Sequence, residues 1–157
     1  MLQVALLTKA PVVTSGHDLF YGSAVPSRRS IYDRFIPLGS SKMVGILENC
    51  FGDSSFLVEK SFFLKMGGFT EDYGIGFEDY EFLAKVALRG YEIEALSEPL
   101  HYYRQHSGSM SHTTDMKANQ VRYLRAFVEM QPWADNIQQN LLQKAQHLFF
   151  QRGIFLD

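Results

Sequence analysis

Residues 2–8, LQVALLT, make a short apolar run closed by Lys9-Ala10-Pro11, and such a run predicts a buried strand. Residues 9–48 keep no period. They carry Pro11, Gly16, Gly22, Pro26, Pro37 and Gly39, which predicts loops with one short strand near Ile31–Ile36. Residues 54–59 (SSFLVE) read as a strand, followed by a short helix from Lys60 to Met66 that Gly67-Gly68 ends. A turn-rich stretch, Thr70–Gly76, leads into a well-patterned helix from Glu78 to Arg89, closed by Gly90. Residues 91–96 (YEIEAL) alternate as a strand does, and 100–104 (LHYYR) form a further candidate.

Beyond a polar loop at 105–114 the period changes to that of a helical hairpin. Val121, Leu124, Phe127 and Val128 stripe its first helix, and Pro132 stands where the second begins. Ile137, Leu141, Ala145, Leu148 and Phe149 stripe the second helix, up to Gly153. The expected division is residues 1–112 as an α/β unit and 113–157 as the hairpin, a packing cap on the sheet. The apolar tail Ile154-Phe155-Leu156 suggests a homo-oligomer or a missing neighbour.

Composition adds bounds. A chain of 157 residues with 46% hydrophobic and 20% charged residues is one globular domain's worth and not a disordered segment. A net charge of −2 gives no field to attract nucleic acid or anionic lipid. No stretch approaches the ~20 apolar residues of a membrane span. The single cysteine, Cys50, permits no internal disulfide. Together with a start that has no signal-like pattern, this leads us to expect a cytoplasmic chain. Aromatic residues reach 14%, which fits a core built on large rings or, less simply, a sugar-stacking surface. Arg28, Arg29, Arg34 and Lys42 in the long loop are either a solvated face or a site for an anion.

The chemistry concentrates in carboxylates. Glu71, Asp72, Glu78, Asp79 and Glu81 crowd into residues 71–81, and Asp53 joins them from an earlier loop. Helix geometry puts Glu78, Glu81, Lys85 and Arg89 on one face, expected to be solvated, with Glu81 and Lys85 paired. Asp79 shares the opposite face with Phe82, Leu83 and Val86, where a carboxylate needs a partner or a task. It is either a helix N-cap or a general base in a cleft. His101, His106 and His112 match no zinc-site spacing.

The run from Gly52 to Ser111 resembles the second half of a family-2 glycosyltransferase catalytic domain of the GT-A type. Four pieces carry the resemblance in order: the small-residue strand Gly52–Val58, the turn Gly67-Gly68-Phe69, the pair Glu78-Asp79 opening a helix, and Tyr103-Arg104-x-His106. The resemblance implies a partial GT-A-like mixed sheet with flanking helices over residues 2–112. It implies inverting sugar transfer from a nucleotide-sugar donor to a glycan or other hydroxyl acceptor. In that reading Asp79 is the base and Glu78 lies near the acceptor. Arg104 and His106 lie beside the diphosphate, with His106 a ligand of a divalent cation, Mn or Mg. The family's Asp-x-Asp is absent from the sequence, as is the preceding nucleotide-binding half of on the order of a hundred residues. The chain therefore reads as an acceptor-side half, inactive by itself. Two other classes stay open: a non-catalytic carbohydrate-binding module, and a protein-interaction module acting through the hairpin.

Overall fold

In a computed structural model of the chain, residues 1–129 are described except 25, 28–30 and 73, together with residues 143, 144 and 147. The expected second hairpin helix, the apolar tail, Arg28 and Arg29 lie outside the described residues.

A mixed four-stranded sheet organises the domain. Its central strand, β1 (Val12–Tyr21), pairs along its whole length with the parallel β4 (Ile93–Gln105). Its other edge is shared by two antiparallel strands, β2 (Ile31–Phe35) against residues 17–20 and the two-residue β3 (Leu57–Val58) against Val12 and Val13. The helices are α1 (Leu2–Thr8), α2 (Lys42–Gly45), α3 (Lys60–Lys65), α4 (Glu78–Leu88), α5 (Met110–Thr113) and α6 (Met116–Glu129). The architecture is α/β, as expected.

Two elements correct the sequence reading. Residues 2–8 form a helix, not a strand: Thr8 Oγ1 donates to the Val4 carbonyl, and Lys9 closes the helix in the left-handed conformation. A seven-residue apolar run has no period to separate the two states, and Gln, Ala and Leu favour the helix. The strand lies just downstream, inside the region read as loop. Val12–Tyr21 carries Thr14, Ser15, His17 and Asp18 among its buried residues, so polar side chains hid a strand enclosed on both faces.

The two candidate strands at 91–96 and 100–104 are one strand, β4, whose register against β1 slips around Pro99. Proline has no N–H for the ladder, which is why the sequence reads as interrupted there. Gly16 sits opposite this irregularity; a Cβ on it would stand 2.8 Å from the Phe35 carbonyl oxygen and 3.3 Å from that of Ser97. Only glycine lets the three backbones approach so closely.

The core lies where α4 and α6 meet the sheet. Tyr80, Phe82, Leu83, Val86 and Leu88 of α4 pack with Val12, Ile93, Ile46 and Phe51, and with Tyr123, Leu124 and Phe127 of α6. The aromatic surplus is spent largely here. Phe82 stacks on Phe56 (5.5 Å) and meets Phe63 and Phe69, while Tyr80 stacks on Tyr123 at 4.0 Å. The expected first hairpin helix is thus α6, packed along α4 and sharing its core. Gly67 and Gly68 end α3 in positive-φ conformations, with the Gly68 N–H bonded to the Phe63 carbonyl.

Candidate active-site cleft

The first turn of α4, the loop around Asp53 and the inward side chains of β1 and β4 enclose an open cleft of about 520 Å³. Its wall includes His17, Asp53, Gly76, Glu78, Asp79 and Tyr103. Alternation along β4 explains its contribution: Tyr103 and Gln105 face the cleft, whereas the exposed Arg104 between them caps the Phe20 ring at 5.4 Å.

Asp79 stands at the rim of α4, partly buried. The N-cap position belongs to Phe77, which is left-handed (φ 67°) and makes no side-chain cap, so Asp79 is not the cap. Its Oδ1 accepts the N–H of the next residue, Tyr80, at 2.7 Å. Burial pushes its carboxyl up to about 6, and the negative charges of Glu78 and Asp53 add to the rise against the Tyr80 N–H. The left-handed turn at Phe77, uncommon for a bulky residue, sets the helix opening at this point. The loop before it is pinned from α6: Asn119, fully buried, accepts the Gly76 N–H at 2.6 Å and donates to Thr114 Oγ1 at 2.8 Å.

The face carrying Glu81 differs from expectation. Glu81 is buried, because α6 covers that side of α4 and brings Arg122 against it. Glu81 holds Lys85 at 2.7 Å, the expected pair, and Arg122 at 3.3 Å. Arg122 also donates to the carbonyls of Thr70, Ile75 and Gly76, fastening the loop beneath the cleft.

Across the cleft, three side chains from separate elements converge. His17 and His101 are register partners on the adjacent parallel strands β1 and β4. Asp53 Oδ2 lies 2.7 Å from His17 Nδ1 and 3.1 Å from His101 Nε2. The Asp53 carboxyl is fixed by its other oxygen, which accepts the Ser55 N–H at 2.8 Å. Burial alone would raise the Asp53 pKa; the His17 and Ser55 contacts and the two imidazoles outweigh it and hold it below the usual range.

Of the expected site residues, Glu78 and Asp79 therefore share the cleft, and Arg104 does not reach its wall. His106 is exposed just beyond β4, outside the converging cluster. Arg34 is spent on a bidentate pair with the buried Asp18, at 2.6 and 3.2 Å. Sequence reasoning missed His17 and its meeting with His101 and Asp53, since residues far apart in the chain leave no spacing signature. Their register across β1 and β4 is the signal, and it needed a strand that had been read as loop.

The fold and cleft define an α/β domain in which the first turn of α4 offers acidic side chains to an open cleft. The family model described as "Glycosyltransferase like family 2" matches residues 21–147, and the chain belongs to that family. No curated protein matches the chain, and no solved structure does. No helix among the described residues is long and apolar enough to cross a membrane.

Proposed function

We propose that this chain forms the acceptor side of an inverting sugar-transfer centre, with Asp79 as the general base. One observation carries the reading: a carboxylate in the cleft whose burial lifts its pKa to about 6, near the value at which a base both stays ionised and takes a proton effectively. The acceptor hydroxyl gives its proton to Asp79, and its oxygen bonds to the anomeric carbon of a nucleotide-sugar. The bond from that carbon to the diphosphate breaks, and the nucleoside diphosphate leaves. Glu78, half-exposed beside Asp79, lies where a glycan's remaining hydroxyls would need acceptors. Gly76 lets the loop pack closely on Asn119 and Thr114, whose side-chain atoms lie 3.3 Å from where a Cβ would stand.

The family resemblance brings a divalent cation with it. The donors that converge in the cleft, two imidazoles and a carboxylate, suit Mn²⁺ better than Mg²⁺, which prefers oxygen ligands. When bound, such an ion supplies Lewis-acid chemistry toward a diphosphate. Because the sequence has no Asp-x-Asp, the grip on the donor nucleotide is not expected from these residues.

The test is a transfer assay on the chain with UDP- and GDP-sugars, glycan acceptors and Mn²⁺, beside NMR mapping of acceptor binding. Acceptor-induced shifts at Gly76, Phe77 and Asp79 without product support the proposal. Product that disappears in Asp79→Asn keeps the base and overturns the acceptor-only reading. Product unaffected by Asp79→Asn, or acceptor binding elsewhere, sinks the base assignment.

A further inference from the structure

We propose that His17, Asp53 and His101 are the protein ligands of a transition-metal site of the two-histidine, one-carboxylate kind. The inference rests on side-chain geometry alone and does not depend on the sugar-transfer reading. The three donor atoms lie within 4.8 Å of one another, two from β1 and β4 and the third from the loop between α2 and β3. Around an ion bound at about 2.1 Å, neighbouring ligand atoms stand about 3.0–3.4 Å apart. The two imidazole–carboxylate distances, 2.7 and 3.1 Å, lie near that range, and the two imidazole nitrogens lie within 4.8 Å of each other.

The surroundings suit a ligand set, although His101 Nε2 also lies at hydrogen-bond distance, 3.1 Å, from Asp53 Oδ2. His17 Nδ1 is 2.7 Å from the carboxylate, but the contact lacks hydrogen-bond alignment, and this nitrogen has no other partner among the described residues. The His17 side chain is 9% exposed, which closes this nitrogen off from bulk water. A metal ion would take up that nitrogen. The ring is held in place from both sides, stacked on Phe35 and on Tyr103 with centroids 5.0 Å away in each case. Asp53 is steadied through its other oxygen by the Ser55 N–H, which leaves Oδ2 facing the imidazoles. Such outer-shell support is what orients metal ligands.

His101, at 27% exposed, forms the open side of the cluster, so coordination positions remain for water or a small oxygen ligand from the cleft. Two nitrogens and one oxygen favour Zn²⁺, Co²⁺, Fe²⁺ or Mn²⁺ over Mg²⁺ or Ca²⁺.

The experiment is a titration of the chelator-stripped chain with Co²⁺, followed by its d–d absorption, and with Zn²⁺ by calorimetry. One equivalent should bind. Asp53→Asn and His101→Ala should each weaken Co²⁺ by more than about 100-fold, beyond the 10–100-fold typical of losing an outer-shell partner. His106→Ala should leave binding unchanged. Circular dichroism checks that each variant is folded. In the unaltered chain, imidazole ¹⁵N shifts should assign Zn²⁺ to His17 Nδ1 and His101 Nε2, a readout that needs no variant. Absence of stoichiometric binding by a folded sample overturns the site. So do unmoved shifts at those two nitrogens, or binding that is lost with His106→Ala and kept in Asp53→Asn.

Discussion

Asp79 and Glu81 stand two residues apart in the first turn of α4, and their surroundings are electrostatic opposites. Glu81 is the more enclosed, yet two cations meet its oxygens, Lys85 at 2.7 Å and Arg122 at 3.3 Å. Asp79 faces the cleft with local backbone N–H groups as its support and with Glu78 and Asp53 as its charged neighbours. A buried charge surrounded by partners holds a structure together. One left undercompensated at the edge of a cavity is available to exchange a proton. Helical periodicity sets Asp79 inward and pairs Glu81 with Lys85, but it sends Glu81 to solvent, whereas α6 covers it.

The largest expected effect breaks the compensated side. Arg122→Met should cost about 3–5 kcal/mol in urea unfolding, because it removes one of Glu81's two cations and frees three loop carbonyls. Adding Glu81→Leu to that variant should recover part of the loss, since the stranded charge goes too. A cost below about 1 kcal/mol for the single change would mean that the buried pair contributes nothing the comparison claims.

The uncompensated side should respond with the opposite sign. Asp79 in the folded chain titrates at about 6, against about 3.9 when unfolded. Between those values the folded state holds a proton that the unfolded chain has released, so stability falls as pH rises from about 4 to 6 and stays lowered above. Asp79→Asn should therefore stabilise the protein at pH 7 by up to about 3 kcal/mol and flatten that slope. Unfolding measured at pH 4, 5, 6 and 7 on both proteins checks it. An unchanged slope would place the ordinary carboxylate pKa at Asp79 and remove the basis for its role as a base.

How legible these features were depended on what kind of information each needs. Helix α4, the glycine stop at 67–68, β2 near Ile31 and the inward face of Phe82, Leu83 and Val86 follow from local period and capping, which a single segment carries. Asp79 was legible for the same reason: helical spacing alone sets it among apolar neighbours. Strand β1 was not, because Thr14, Ser15, His17 and Asp18 are buried among neighbours from β2 and β4, and nothing local reports that enclosure. The burial of Glu81 likewise depends on Arg122, 41 residues away along the chain. The His17–Asp53–His101 cluster needs both failures repaired, since it requires β1 as a strand and its register with β4.

The smallest expected effect sharpens the comparison on a single carboxylate. Lys85 and Arg122 both pair with Glu81, but they differ in how much water and geometry they keep. The Lys85 side chain is 21% exposed and makes one short contact from a flexible stem. Arg122 is 2% exposed, and its guanidinium also serves the loop carbonyls. An i,i+4 pair of the first kind contributes about 0.3–0.5 kcal/mol on a helix surface, and somewhat more where one partner is buried. Lys85→Met should thus destabilise by less than about 1 kcal/mol, and the loss should shrink in high salt, whereas the Arg122→Met loss should not. Equal costs for the two changes would show that Glu81 responds to net positive charge nearby, not to the buried fork that ties α4, α6 and the loop beneath the cleft together.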